Sequence, residues 1–371
     1  MGWSWRLVDI CSMRIVLIHM CVFGFLFNCR GQSSAVLDWS AYGEMYAGWD
    51  DLRAKNHQRP DFLYNHTRSE ELALNLALIQ ASYSDTSWRV KAGLMAGTYS
   101  LRNLASEPAG LRSIFEATIG VRLSSKRNIW LEAGVFPSHL GYESAIGMDC
   151  PTLTRSLIAE NSPYYESGIK VLAESPSKKW RYMLAVLNGW QRMAIPDGYY
   201  TPALGGQLTH QVNAHWSINY SNFFGDQSAD DDVALRQFHN LYAVYRSTKG
   251  VLLALCADWG MQPDLNDEER TLSSWYGGAI MSQVPLGNRW KLNGRLEQYV
   301  DERELVAVNP FADGFHLKGY SLGMDYAIGE MLCLRAEVKR FDGPHFHFIQ
   351  NETTLTNAAH LVNLSLCWRK P

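Results

Sequence analysis

The chain has 371 residues, 47% hydrophobic and 19% charged, with a formal net charge of −3 and a mean hydropathy of −0.20. This balance excludes a bundle of transmembrane helices, because beyond the N-terminal stretch no apolar run approaches the roughly 18–20 residues that a spanning helix needs. It also offers no basic surplus for nucleic acid.

At the N-terminus, Arg14 precedes the apolar stretch Ile15–Phe27, which gives way to the small polar segment Asn28–Ser34, the layout of a secretory signal peptide. We expect cleavage near Gln32, so that residues 1–32 are the signal and 33–371 a single exported domain. Met13 fits as the true start, since the signal layout begins there. Acylation at Cys29 is disfavoured by the bulk of Asn28 before it. Cys11, Cys21 and Cys29 leave with the signal. Cys150, Cys256, Cys333 and Cys367 remain, far apart and without paired metal-ligand spacing, and read as isolated thiols.

Past the signal, segments of alternating character follow one another, the signature of strands. They fall near 35–49, 71–84, 87–100, 113–123, 128–138, 164–173, 180–190, 203–211, 215–224, 236–246, 251–261, 271–284, 289–300, 316–328, 331–341 and 358–368. That makes about sixteen, an even number as bacterial barrels require. In Met331–Phe341, Leu332, Leu334, Ala336 and Val338 form one face and Cys333, Arg335, Glu337 and Lys339 the other. The connections alternate between short (Asp85-Thr86, Gly329-Glu330) and long (Asp51–Ser69, Asp342–Thr356). Tight turns on one rim and long loops on the other describe an all-β transmembrane antiparallel barrel, with turns in the periplasm and loops outside.

Alternation turns Arg89, Lys91, Glu116, Arg122, Glu132, Glu166, Lys170, Arg295, Glu297, Arg335, Glu337 and Lys339 inward, since charge is costly on a lipid face. Their mixed signs suit a water-filled lumen that braces its own wall, and they are the pore-lining candidates. The longest loop, Leu140–Pro163, carries Glu143, Asp149, Arg155 and Glu160. Folded inward, it would put both charge signs at a constriction, with weak ion preference.

Glu116, Glu132 and Glu166 on consecutive strands invite a paired-carboxylate reading. Arg122 and Lys170 lie close enough in the pattern to neutralise them instead. His345 and His347 form half a metal site with no third ligand. No metal, cofactor or catalytic residue is expected. Aromatic residues at strand ends, among them Trp39, Trp49, Trp88, Trp180, Trp190, Trp275 and Trp290, suggest two interfacial girdles. Only Tyr99, Trp130, Phe136 and Tyr299 point inward by parity, too few for a sugar-stacking track.

The stretch Gly110–Val171 contains GVFPSH, ESA, TLTRS and AENSPYYESG in that order, and Leu187–Gln191 reads LNGWQ. In these phrases the chain resembles the OmpL-like β-barrel porin family of Gram-negative bacteria, closely over residues 70–195 and more loosely to the C-terminus. The resemblance implies an outer-membrane barrel in contact with outer-membrane lipid, passing small hydrophilic solutes as a monomer or homotrimer. The rival expectation is a plugged structural or adhesion barrel that binds a partner through its external loops. One departure is the final strand, Ala359–Trp368, which runs past its aromatic residue into Arg369-Lys370-Pro371.

Overall fold

The computed structural model describes residues 35–199, 201–229, 234–307, 309–311 and 314–370, so the expected signal, cleavage site and alternative start lie outside the described residues. Sixteen strands close into one antiparallel barrel. They are β1 (Val36–Asp50), β2 (Leu72–Ser84), β3 (Trp88–Ala96), β4 (Ile114–Arg122), β5 (Asn128–Pro137), β6 (Tyr165–Glu174), β7 (Trp180–Leu187) and β8 (Ala203–Gln211). There follow β9 (Trp216–Asp226), β10 (Leu235–Arg246), β11 (Leu252–Pro263), β12 (Leu272–Leu286), β13 (Trp290–Asp301), β14 (Phe315–Ala327), β15 (Leu332–Asp342) and β18 (Ala358–Lys370). Each strand pairs with its sequence neighbours, and β18 closes the ring onto β1 from Ala41↔Lys370 to Asp50↔Leu361. Closure leaves no strand edge unpaired, which is what a spanning sheet requires.

Alternation explains why these segments are strands. On β15 the inward set Arg335, Glu337, Lys339 and Phe341 is buried, while Val338 on the outward face is 52% exposed. The short/long rhythm also holds. Turns join one rim, and eight loops cover the other: loop 1 (51–71), loop 2 (97–113), loop 3 (138–164), loop 4 (188–202), loop 5 (227–234), loop 6 (264–271), loop 7 (302–314) and loop 8 (343–357).

Four local details differ from the pattern reading. The expected strand 87–100 stops at Ala96, because Gly97 at φ +132° turns the chain into helix α1 (Thr98–Asn103). Loop 8 forms a small hairpin of β16 (Phe348–Gln350) and β17 (Thr354–Thr356). The last strand extends past Trp368, since Arg369 and Lys370 pair with Tyr42 and Ala41 in the closing ladder. Cys333 and Cys367, distant in sequence, face each other across β15 and β18 as free thiols.

Two glycines shape the wall where loop 3 departs. Gly134 (φ +132°) and Gly168 (φ +157°) are cross-strand partners on β5 and β6. A Cβ on Gly134 would lie 1.9 Å from the Ala117 carbonyl oxygen, and one on Gly168 2.1 Å from that of Val186. Both thus bring backbones together where no side chain fits. Gly134→Ala is expected to lower barrel stability by roughly 1–3 kcal/mol, read as a lower urea midpoint for the detergent-folded protein; an unchanged midpoint would show that the kink is relaxed at no cost.

Candidate functional site

The closed barrel encloses a lumen, and loop 3 fills much of it. Its first residues lie along β8 and β9. The carbonyl of His139 accepts from Gln207 Nε2 (2.9 Å) and Ser221 Oγ (2.8 Å), while its ring sits 2.9 Å from the Asn222 carbonyl. Burial pushes this imidazole down to about 4, so it packs as a neutral group. The loop then crosses to the opposite wall and returns through helix α2 (Leu157–Glu160), capped by Ser156 Oγ accepting from the Ala159 N–H.

On the far wall, strand charges receive the loop. Arg295 donates to the Thr154 carbonyl (2.6 Å) and to its hydroxyl (2.9 Å), and Glu337 accepts from the Thr154 N–H (3.2 Å). Glu297 accepts the Leu157 N–H (2.5 Å) and pairs with Arg295 (3.2 Å) and Lys339 (2.9 Å). Lys339 donates to the Arg155 carbonyl (3.1 Å). Arg335, paired with Asp325 (2.9 Å), donates to the Gly147, Cys150 and Pro151 carbonyls at 2.6, 3.2 and 3.3 Å. Arg295, Glu297, Arg335, Glu337 and Lys339 therefore face inward, as alternation requires, but they are covered by loop 3 and hold it.

The loop's own charges are mostly spent as well. Arg155, fully buried, donates to the carbonyls of Ser144, Ala145 and Leu153. Glu143 accepts from the Ser156 N–H and hydroxyl. Glu160 accepts the Tyr64 N–H (2.8 Å), tying loop 3 to loop 1. Asp149 alone of the four stays partly exposed, paired with Arg369 at 2.8 Å.

The remaining lumen candidates sit on β3–β6. Glu132 pairs with Arg89 and with Lys170 (3.4 Å), and Lys91 pairs with Glu116 (3.6 Å). The Lys91 side chain is 52% exposed, so this network is wetted. Arg89 also lies 4.3 Å from the Trp130 ring centroid. Arg122 points the same way at the turn rim, its Nε unpaired. Glu166 is different. It is sealed near Phe136, its register partner, with no ion pair among the described residues. The expected neutralisation of the three glutamates thus holds for Glu116 and Glu132 but not for Glu166, and it uses Lys91 and Arg89 rather than Arg122.

Inward aromatics are far more numerous than parity counting suggested. Phe223, Phe238, Trp275, Phe315 and Phe341 all point into the loop-rim half of the lumen, buried to 1% or less. Trp190 of loop 4 packs edge-on against Phe223 (5.0 Å) and Phe238 (5.1 Å), and Phe62 of loop 1 against Phe315 (5.1 Å) and Phe341 (5.7 Å). Trp190 and Trp275 therefore leave the proposed girdle, whereas Trp39, Trp49 and Trp290 are outward and about half exposed. His347 packs against Phe315 at 5.4 Å, and no metal-ligand cluster forms among the described residues.

Comparison with known proteins places this geometry. The family model described as "Putative beta-barrel porin-2, OmpL-like" matches residues 36–366. Among solved structures, the outer membrane channel DcaP of Acinetobacter baumannii superposes with a TM-score of 0.62 at 10% identity, covering 92% of this chain and 99% of that one. The anion-selective porin from Comamonas acidovorans gives 0.60 at 7% identity (91% and 100%), and OmpT of Vibrio cholerae 0.58 at 9% (92% and 99%). At such identities the likeness is one of fold. A search of curated protein sequences found no match.

Two outcomes follow from the loop 3 contacts. Arg295→Leu strands buried carboxylates and carbonyls and should cost about 3–5 kcal/mol, with new protease cleavage inside loop 3; an uncut loop of parental stability would show that Arg295 holds nothing. Burial pushes Glu160 up to about 7, above the usual carboxylate value near 4.3. Its contribution is full at low pH and lost as pH rises through about 7. Cleavage of loop 1 beside Tyr64 should therefore increase from about pH 5 to pH 8, and Glu160→Gln should flatten that rise.

Proposed function

The chain belongs to the OmpL-like porin-2 family of β-barrels, and from that premise we propose that it is a narrow porin-type channel passing small hydrophilic solutes across the outer membrane. The observation that carries this reading is the wetted network of Arg89, Lys91, Glu116, Glu132 and Lys170 on β3–β6. Opposite signs within 4 Å of each other present donors and acceptors with little net field, which favours neutral and zwitterionic polar solutes over ions of one sign. Loop 3, fixed to β13–β15, supports a passage confined to the β3–β6 side. The outward face of the first strands, where Gly43, Ala77, Ala81, Ala92 and Ala117 lie in adjoining register, supports close approach of copies as a homotrimer.

One observation favours the rival plugged barrel. Loop 4 is bonded to loop 2 over the same wall, since Glu107 accepts the N–H groups of Met193 (2.7 Å) and Ala194 (3.1 Å). Planar-bilayer recording separates the two. The intact protein should give small discrete conductance steps, and deletion of residues 145–160 should enlarge them several-fold. A folded barrel that conducts only after the deletion is a plug, and the channel reading then fails.

A further inference from the structure

A second chamber opens at the turn rim, across loop 3 from the β3–β6 network. It is a cavity of about 400 Å³, floored by Met148–Pro151 of loop 3 and walled by the rim ends of β10–β15. That volume falls in the range that takes a small organic ligand.

The charges lining it are unevenly matched. Arg335 is committed to Asp325 and to loop 3, and Asp149 is committed to Arg369. Three exposed cations are left. Arg246 meets the Tyr142 hydroxyl (3.4 Å), Arg289 the Tyr326 hydroxyl (3.3 Å) and Lys291 the Gln283 amide oxygen (3.2 Å), all neutral partners. Asp325 stands opposite Lys291 in the ladder, but Arg335 already holds it. Glu330, in the β14–β15 turn, is the one lining carboxylate outside an ion pair among the described residues.

Elsewhere in this lumen, most inward cations are cancelled by a carboxylate or consumed by loop carbonyls, Arg122 and Arg181 at the turn rim excepted. Here three of them line one concave, partly enclosed wall, where like charges reinforce one another's field. Each guanidinium offers forked N–H donors, and the ammonium adds a mobile point charge. We propose that this periplasmic chamber binds a small polyanion whose carboxylate or phosphate oxygens bridge Arg246, Arg289 and Lys291. The bridging group replaces water on all three cations at once with charge-assisted hydrogen bonds. Because the chamber opens to the periplasmic rim, binding does not depend on passage through the barrel.

The test is calorimetric titration of the full chain, folded in detergent, with pyrophosphate and separately with succinate. Saturable binding that weakens with added salt is expected for at least one of them; the tighter probe tells phosphate from carboxylate recognition. Arg289→Gln with Lys291→Gln should weaken that binding about tenfold or more, with folding checked by heat-dependent gel mobility. Should the double variant not fold, Lys291→Gln alone is titrated, with a weaker fall expected. No saturable binding of either probe, or a folded variant binding as tightly as the parent, overturns the proposal. Titration needs no current, so binding in a barrel that never conducts would sink the channel reading and leave this one standing.

Discussion

A loop that enters a barrel brings its backbone amides and carbonyls out of water, and each must find a partner there. Loop 3 finds many of them in the side chains of β13 and β15. Arg295, Glu297, Glu337 and Lys339 bind one another and also three loop residues, Thr154, Arg155 and Leu157. Ion pairs as buried as these cost several kcal/mol per charge to desolvate, and mutual attraction offsets that only when the leftover donors and acceptors are filled. The loop carbonyls and N–H groups fill many of them. Wall and loop therefore satisfy each other.

The division of the lumen follows from that dependence. With loop 3 drawn to β13–β15, the wetted charges are left on β3–β6. Toward the loop rim the inward face changes from polar or charged to aromatic along single strands, as in Lys339 followed by Phe341 on β15, or Ser221 followed by Phe223 on β9. Loops 1 and 4 pack onto those rings through Phe62 and Trp190, so the external half of the barrel has an apolar core of ordinary protein kind. The polar waist beneath it owes its near neutrality to pairing rather than to absence of charge. Against that background the uncancelled Arg246, Arg289 and Lys291 stand apart.

Much of the barrel was legible because strand alternation has a period of two and every barrel strand here separates an outward face from the interior. The sixteen strands, the short and long connections and the inward direction of Arg295 or Glu337 all follow from that periodicity. Alternation states which way a side chain points, however, and not what it meets. Arg335 reads as a water-facing charge until the Gly147 carbonyl is found 2.6 Å away, contributed by a loop 188 residues distant in sequence. Trp275 sits near a strand end, which suggested an interface; its inward parity and burial show that it belongs to the core.

The amino-acid sequence by itself determined the class of architecture, its strand count and the two faces of its wall, because these rest on local periodicity and on the cost of charge in lipid. Only the tertiary structure decided which inward charges stay wet, since that depends on where a long loop comes to rest. Sequence spacing carries no measure of that position. It is set by the sum of contacts between loop 3 and a wall formed by strands far along the chain, which the closed barrel brings opposite the strands that carry the loop.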